Sequence, residues 1–247
     1  MITVTFAGCG DAFGSGGRFQ ACIHLRPGAG QAPVLLDCGA TSLTALRRSG
    51  LDPGEIGAVL VSHLHGDHFG GLPFLILDGQ FARRTAPLLI AGPPGTQQRL
   101  TAAMECLFPG SAQVRRRFDV RVLELFPGAT KDVADITVRA WEARHPSGAP
   151  ALILRLTVGG TGGTVIAYTG DTAWTAAITQ ASHQADLLIA EAYHWDKPVP
   201  HHLRYADLIA HKITARRVIL THMSADMLAR QPPAAHEAAH DGLVITV

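Results

Sequence analysis

The segment Ser62-His63-Leu64-His65-Gly66-Asp67-His68 puts four metal-competent side chains within a few residues of one another. Imidazole nitrogens and a carboxylate crowded this closely are costly unless a cation compensates them. Read as extended chain, the segment alternates its side chains. That predicts His63, His65 and Asp67 on one side, with His68 turned away as the next helix begins. One loop could then serve two neighbouring metals. The run follows the apolar strand Ala58-Val59-Leu60-Val61 and precedes Phe69-Gly70-Gly71-Leu72, a setting that favours a metal site over a polar loop that happens to be rich in histidine.

Four ligands cannot close two coordination spheres, so further His, Asp or Cys must arrive from strand ends or tight turns. Three places qualify. His145 follows the strand ending at Trp141 and precedes Pro146-Ser147-Gly148; Asp171 sits in Tyr168-Thr169-Gly170-Asp171-Thr172; His222 ends the strand Val218-Ile219-Leu220-Thr221. Taken singly, each has an innocuous reading, as a helix cap for Asp171 or a surface histidine for the others. Their shared position at the carboxyl ends of strands argues for a site.

The elements that must position these residues are legible as short apolar runs divided by glycine turns. Strands are expected at 2–7, 20–25, 33–37, 58–61 and 87–91, with helices at 40–49, 70–82 and 95–107. Further strands are expected at 120–125, 134–142, 150–158, 164–168, 186–190, 217–221 and 243–247, with helices at 173–181 and 203–213. Strands and helices in both halves imply an α+β sandwich, two sheets face to face with helices outside and the metal loop at one end of the strands. Periodicity alone does not choose this over another α/β arrangement. No Ser/Gly or Pro linker or short-period repeat divides the chain, so residues 1–247 are expected to form one domain.

The glycine-rich segment Gly8-Cys9-Gly10-Asp11-Ala12-Phe13-Gly14-Ser15-Gly16-Gly17 invites a dinucleotide reading, but its third glycine comes one residue too late for G-x-G-x-x-G. The residues after it, Phe19 to Ile23, read as strand where a phosphate-binding fold needs a helix. A flexible wall of the metal pocket is the better expectation.

Composition narrows the function classes. The 247 residues are 47% hydrophobic, ample for a substantial core, and Lys plus Arg (21) nearly balances Asp plus Glu (20). No global basic field exists to hold a long polyanion, although Arg83-Arg84 and Arg115-Arg116-Arg117 are local basic spots. The four cysteines are Cys9, Cys22, Cys38 and Cys106, which form no C-x-x-C pair, so neither a disulfide framework nor a zinc ribbon is indicated. The first residues read as a strand rather than a leader, and no apolar stretch could span a bilayer; a soluble cytoplasmic protein is expected.

In order and setting, His63-x-His65-x-Asp67-His68, His145, Thr169-Gly170-Asp171-Thr172 and Thr221-His222 resemble the metal motifs of the metallo-β-lactamase superfamily. The likeness covers nearly the whole chain and implies an αββα sandwich with a two-metal centre between the sheet edges. It implies that one metal takes His63, His65 and His145, the other Asp67, His68 and His222, with Asp171 bridging them. The metals would be two divalent ions, zinc first, with manganese or iron as alternatives. β-Lactamases of the best-known type carry a cysteine where Asp171 stands, which argues against antibiotic hydrolysis.

Within the superfamily the chain is most similar to ribonuclease Z and its relatives. Ala185-Asp186-Leu187-Leu188-Ile189-Ala190-Glu191-Ala192 resembles their segment carrying a glutamate in a His-Glu-Ala motif, although Ala190 replaces the histidine. His201-His202-Leu203-Arg204-Tyr205-Ala206 resembles the neighbourhood of their phosphate-facing histidine. His202 is preferred over His201 because Leu203 onward fits a helix start. The resemblance implies that Glu191 orients His202 by accepting its ring proton; the plain alternative is a salt-bridged surface acid. Catalytic roles thus fall to Asp67, Glu191 and His202.

One departure outweighs the matches. Ribonuclease Z inserts a tRNA-gripping arm between the third and fourth metal motifs, whereas His145 to Asp171 leaves room for two strands and a turn. With near-neutral charge, this disfavours long RNA, because Lys and Arg contacts to phosphate supply most non-specific nucleic-acid affinity. The expected activity is a binuclear metal-dependent phosphodiesterase that uses a metal-activated hydroxide on a small phosphodiester or short nucleotide, with no membrane partner and with homodimerisation implied by the resemblance. The alternatives are a thioester or lactone hydrolase with the same ligands and a tRNA 3′-end processing endoribonuclease. A redox iron site would want a flavin-binding partner domain, for which the chain leaves no room.

Overall fold

The computed structural model describes residues 1–28, 30–230 and 236–247. Strands β1 (Thr3–Gly8), β2 (Cys22–Arg26) and β3 (Val34–Leu36) are followed by helix α1 (Ser42–Arg48), β4 (Ala58–Leu60), α2 (Gly66–Phe69), α3 (Leu72–Phe81), β5 (Leu88–Gly92), α4 (Thr96–Leu107) and β6 (Val120–Glu124). The second half comprises β7 (Thr130–Val133), β8 (Ile136–Glu142), β9 (Leu152–Val158), β10 (Thr164–Tyr168), α5 (Ala176–Ala181), β11 (Leu187–Glu191), α6 (Tyr205–Ala210), β12 (Arg217–Thr221), α7 (Ala225–Ala229), β13 (Glu237–Ala238) and β14 (Leu243–Thr246).

These strands form two seven-stranded sheets, ordered β14-β1-β2-β3-β4-β5-β6 and β13-β12-β11-β10-β9-β8-β7. Both are mixed. In the first, β3 to β6 run parallel and the rest antiparallel; in the second, β10 to β13 run parallel and β7 to β10 antiparallel. The sequence pattern follows this division. Parallel β4 and β11 are buried at every residue and are apolar apart from Glu191, as expected of strands covered on both faces. Antiparallel β8 buries Ile136, Val138 and Ala140 and turns Arg139 outward.

Three apolar clusters account for the layers. One joins inward residues of both sheets, such as Phe6, Leu36 and Leu60 with Val138, Leu154 and Ile189. A second packs Leu46, Leu72, Ile76 and Met104 of α1, α3 and α4 on the first sheet, and a third packs Ile178, Leu208 and Met227 of α5, α6 and α7 on the second. This is the αββα sandwich expected from the run of elements. The helices are shorter than expected: 173–181 begins only at Ala176, because Thr175 caps it by accepting from the Ala177 N–H, and 203–213 reduces to Tyr205–Ala210. Strands β7 and β13 carry too few apolar residues to stand out from sequence, and helix α7, five residues long, is too short to show a helical period.

Arg84, half of one expected basic spot, is buried and donates to the backbone carbonyls of Ile56, Ala86 and Pro87. It serves the fold rather than a solvated face. His24 in β2 is likewise buried, paired with Leu35 on the helix-facing side of the first sheet. Burial, reinforced by Arg26 and opposed by Glu55, pushes its pKa from 6.5 to about 4. The unfolded chain therefore binds a proton here at a pH where the folded chain does not, so stability falls as pH drops from about 6.5 towards 4. In urea melts at pH 6.5 and 4.5, wild type is expected to lose on the order of 2 kcal/mol more than His24→Leu. Equal losses would contradict the assignment.

Candidate metal centre

The chemistry-bearing residues lie where strands end. His63 follows β4, His145 follows β8, Asp171 follows β10, Glu191 closes β11 and His222 follows β12. In sheets with parallel strands, sites form at the carboxyl ends, where chains leave in different directions and open a crevice. Gly170 makes the Asp171 turn feasible: its φ is 53°, and a Cβ there would stand 2.8 Å from the Ser62 Cβ and Oγ. His222 itself adopts φ 54° and is held there by its N–H, which donates to the Cys9 carbonyl at 3.0 Å.

His63, His65 and His145 form one group whose ligand atoms lie within 4.8 Å of one another; Asp67, His68, Asp171 and His222 form a second. Asp171 faces both. Its Oδ1 is 3.1 Å from His68 Nε2 and 3.3 Å from His222 Nδ1, while its Oδ2 is 3.8 Å from His63 Nε2 and 3.9 Å from His145 Nε2. His65 Nδ1 and His145 Nε2 approach to 3.0 Å, and His145 is oriented by its Nδ1, 3.0 Å from the His201 carbonyl.

The alternation argument for Asp67 fails. Residues Gly66–Phe69 form a helical turn, with the His68 and Phe69 N–H groups donating to the His65 carbonyl, so Asp67 leaves the side of His63 and His65. Its Oδ2 sits 3.2 Å from His68 Nε2 and 3.9 Å from His222 Nε2. Helical periodicity, not the two-residue repeat of a strand, sets the direction of both residues.

Asp37 is a residue that sequence reasoning missed. Fully buried at the end of β3 with φ 59°, it accepts from the Ser62 N–H and Oγ–H and the Tyr168 hydroxyl, each at 2.7 Å. His68 Nδ1 lies 2.6 Å from the same carboxylate, which fixes the ring and turns Nε2 towards the cluster. The available signal was a carboxylate closing an apolar strand, Val34-Leu35-Leu36-Asp37, which has no low-cost place in a core unless donors surround it.

The donor set fits divalent cations. His63 Nε2, His68 Nε2, Asp171 Oδ1 and His222 Nδ1 are buried without a hydrogen-bond partner, each a loss of about 1–3 kcal/mol unless something compensates it. Burial holds the His63 and His145 pKa values down, keeping lone pairs free. Asp67 and Asp171 are pushed towards the proton-bearing form by burial, but neighbouring imidazoles, His68 for Asp67 and His222 then His68 for Asp171, override it and keep both ionised. Neutral imidazoles and ionised carboxylates are the ligand forms that metal binding requires. His68 is the exception: burial disfavours its charge, yet Asp171, Asp67 and Asp37 raise its pKa, so a proton offsets the carboxylates when no cation does.

Beside this cluster, His202 Nδ1 lies 2.5 Å from Glu191 Oε1. Glu191 is fully buried, and its Oε2 also accepts from the N–H groups of Thr172 and Leu203, which excludes the surface-acid alternative. His201, with φ 66°, is exposed and contributes its carbonyl to His145 rather than a side chain to Glu191. The helix that follows starts at Tyr205, two residues later than the sequence reading assumed. Tyr193 lays its ring on His202, with centroids 4.6 Å apart at 30°.

Compared with known proteins, residues 2–242 match the family described as Anti-Pycsar protein Apyc1. The chain belongs to that family. Among relatives of this Apyc1-family chain, ribonuclease Z of Methanosarcina acetivorans is 27% identical over 91% of the chain and 88% of its own length. Ribonuclease Z of Methanothermobacter thermautotrophicus is 33% identical, but the match spans only 45% of that protein. The crystal structure of human tRNase Z, short form, agrees with a TM-score of 0.79 at 28% identity over 99% of this chain and 98% of that one. The metallo-β-lactamase fold protein YhfI of Bacillus subtilis matches with a TM-score of 0.77 over 99% of this chain and 98% of that one; at 22% identity it speaks for the fold. The Apyc1-family chain has the metallo-β-lactamase fold and stands with its ribonuclease Z-like branch.

Asp171→Ala is expected to lose at least one metal equivalent per chain after zinc loading and desalting, measured by elemental analysis. Full retention would contradict a carboxylate shared between the two ligand groups.

Proposed function

We propose that the protein is a binuclear metal-dependent phosphodiesterase acting on a small phosphodiester or short nucleotide, with residues 1–247 working as one metallo-β-lactamase-like unit. His63, His65 and His145 would hold one cation, and Asp67, His68 and His222 the other, with Asp171 between them. Zinc suits this nitrogen and oxygen donor set, as do manganese and iron. Bound there, such a pair supplies Lewis acidity to a phosphoryl oxygen and lowers the pKa of water towards about 7.

The observation that carries the reading is the Glu191–His202 pair set beside the ligand cluster. A thioester or lactone hydrolase could use the same seven ligands but has no need of this pair. Burial disfavours the imidazolium of His202, but the hydrogen bond and charge of Glu191, with Asp171 and Asp67, outweigh it and raise the pKa. With Nδ1 engaged by Glu191, His202 presents Nε2 as a proton-bearing donor. It can stabilise negative charge developing on a phosphoryl oxygen and pass a proton to the leaving alkoxide, which departs poorly without one. Asp67 turns Oδ2 to His68 and His222, leaving Oδ1 to accept a proton from the attacking water.

The segment between His145 and Asp171 supports a small substrate. Strands β9 and β10 pair from Val158↔Thr164 to Leu154↔Tyr168, so their connection is a tight turn with no room for an RNA-gripping arm. Together with a formal net charge of +1, this favours a small diester over tRNA.

Metal-loaded protein is expected to cleave bis-p-nitrophenyl phosphate and a cyclic nucleotide in preference to an acyl-glutathione thioester, a lactone or precursor tRNA. His202→Ala should lower diester turnover by roughly 10²–10⁴-fold with metal content intact. A preference for the thioester or lactone, or unchanged turnover in His202→Ala, would overturn the reading.

A further inference from the structure

Away from the ligand cluster, the outer face of the second sheet carries a hollow. Ile136, Val138 and Ala140 of β8 and Leu152, Leu154 and Leu156 of β9 enter the core between the sheets, so Arg139 and Trp141 of β8 and Arg155 and Thr157 of β9 turn outward. With Thr130 of β7 and Gln180 of α5 they line a space of about 430 Å³, within the roughly 300–1,000 Å³ of small-ligand pockets. Arg139 precedes His145 by six residues. That is about 20 Å of extended chain, so the hollow is separate from the metal centre.

Its charges are unfavourable as they stand. Arg139 and Arg155 are direct partners in the register of β8 and β9. Side chains so placed have Cβ atoms about 4.5–5.5 Å apart, and like charges there repel. Neither guanidinium has a carboxylate partner among the described residues. Asp186, whose charge favours that of Arg155, is engaged by Arg216 at 3.0 Å and by the Val165 N–H, and Asp132 of β7 accepts from the Thr137 hydroxyl.

The pair is nonetheless held in place. Arg155 Nη1 donates to the Ala181 and His183 carbonyls at 2.7 and 2.8 Å, at the end of α5. Arg139 lies over the Trp141 ring, 4.8 Å from its centroid, and the Trp141 Nε1–H donates to Gln180 Oε1 at 3.0 Å. These contacts leave the N–H groups of Arg139, and those on Nε and Nη2 of Arg155, without an acceptor among the described residues. Donors fixed before a ligand arrives have less side-chain entropy to lose on binding it.

We propose that this hollow is a second binding site, in which Arg139 and Arg155 together hold the phosphate of a small phosphomonoester. A carboxylate is satisfied by one bidentate guanidinium, whereas a phosphomonoester brings three strong acceptor oxygens and a charge of about −1.5 to −2, enough to engage both forks and offset both charges. The Thr130 and Thr157 hydroxyls on the same wall supply further donors. The inference does not depend on the phosphodiesterase reading.

The test is calorimetric titration of the full chain with inorganic phosphate and with succinate, a dicarboxylate of similar charge. Asp171→Ala removes the shared ligand of the metal centre, so phosphate still bound by that variant reports the second site. Adding Arg139→Gln should weaken this binding at least tenfold, and Arg139→Lys, which keeps the charge but loses the fork, should fall between. Succinate should bind at least tenfold more weakly than phosphate. Phosphate binding that is lost in Asp171→Ala alone, or is unchanged by Arg139→Gln, would overturn the proposal; succinate binding as tightly as phosphate would overturn the choice of ligand. Should Asp171→Ala fail to fold, wild-type crystals soaked in tungstate, a heavier tetrahedral oxyanion, are expected to show anomalous density between the two guanidinium groups, and its absence there would equally overturn the site.

Discussion

Buried imidazole nitrogens and carboxylate oxygens without a hydrogen-bond partner raise the free energy of a fold, and this protein gathers them at one place. His63 Nε2, His68 Nε2, Asp171 Oδ1 and His222 Nδ1 are sealed from water without partners. Such an arrangement persists only where the surrounding structure over-determines it and where something of opposite charge can relieve it. Much of the architecture near the cluster serves that first requirement: left-handed backbone at Asp37 and His222, a glycine-only approach at Gly170, and a carboxylate at Asp37 that fastens Ser62, His68 and Tyr168 together. Because Ser62 and His68 belong to the first sheet's loop and Tyr168 to the second sheet, Asp37 also couples the two halves of the sandwich beneath the site.

How much of this was legible in sequence depended on how local the cause was. His63, His65, His145, Asp171 and His222 stood out because each follows an apolar strand, and a strand's end is written in its own few residues. The direction of Asp67 was misread because Gly66–Phe69 closes a helical turn that a four-residue window cannot distinguish from extended chain. Asp37 was missed for a different reason. Its meaning lies in contacts with residues 25, 31 and 131 positions away, and no periodicity encodes partners at that distance. Similarly, Glu191 and His202 were paired from family resemblance, while their geometry depends on β11 and the loop before α6 meeting in space.

The layout also keeps two tasks apart. On the proposed reading, holding cations would be the work of loops at the carboxyl ends of strands in both sheets, whereas selecting a substrate would fall to the rim: the Asp11–Gly17 loop, Tyr193 and the segment leading to His202. The expected flexible wall from Gly8 to Gly17 is instead pinned by Asp11 and by contact with α7. A rim built this way can change its preference through single side chains without disturbing the ligands beneath, since the rim group that orients the ligand His145, the His201 carbonyl, belongs to the backbone.

The central claim is that two cations belong among these side chains. Crystals grown with zinc and measured on both sides of its absorption edge should yield two anomalous peaks per chain, one among His63, His65 and His145 and one among Asp67, His68 and His222, with Asp171 reaching both. Absence of anomalous density at those positions, with the side chains ordered, would contradict the account.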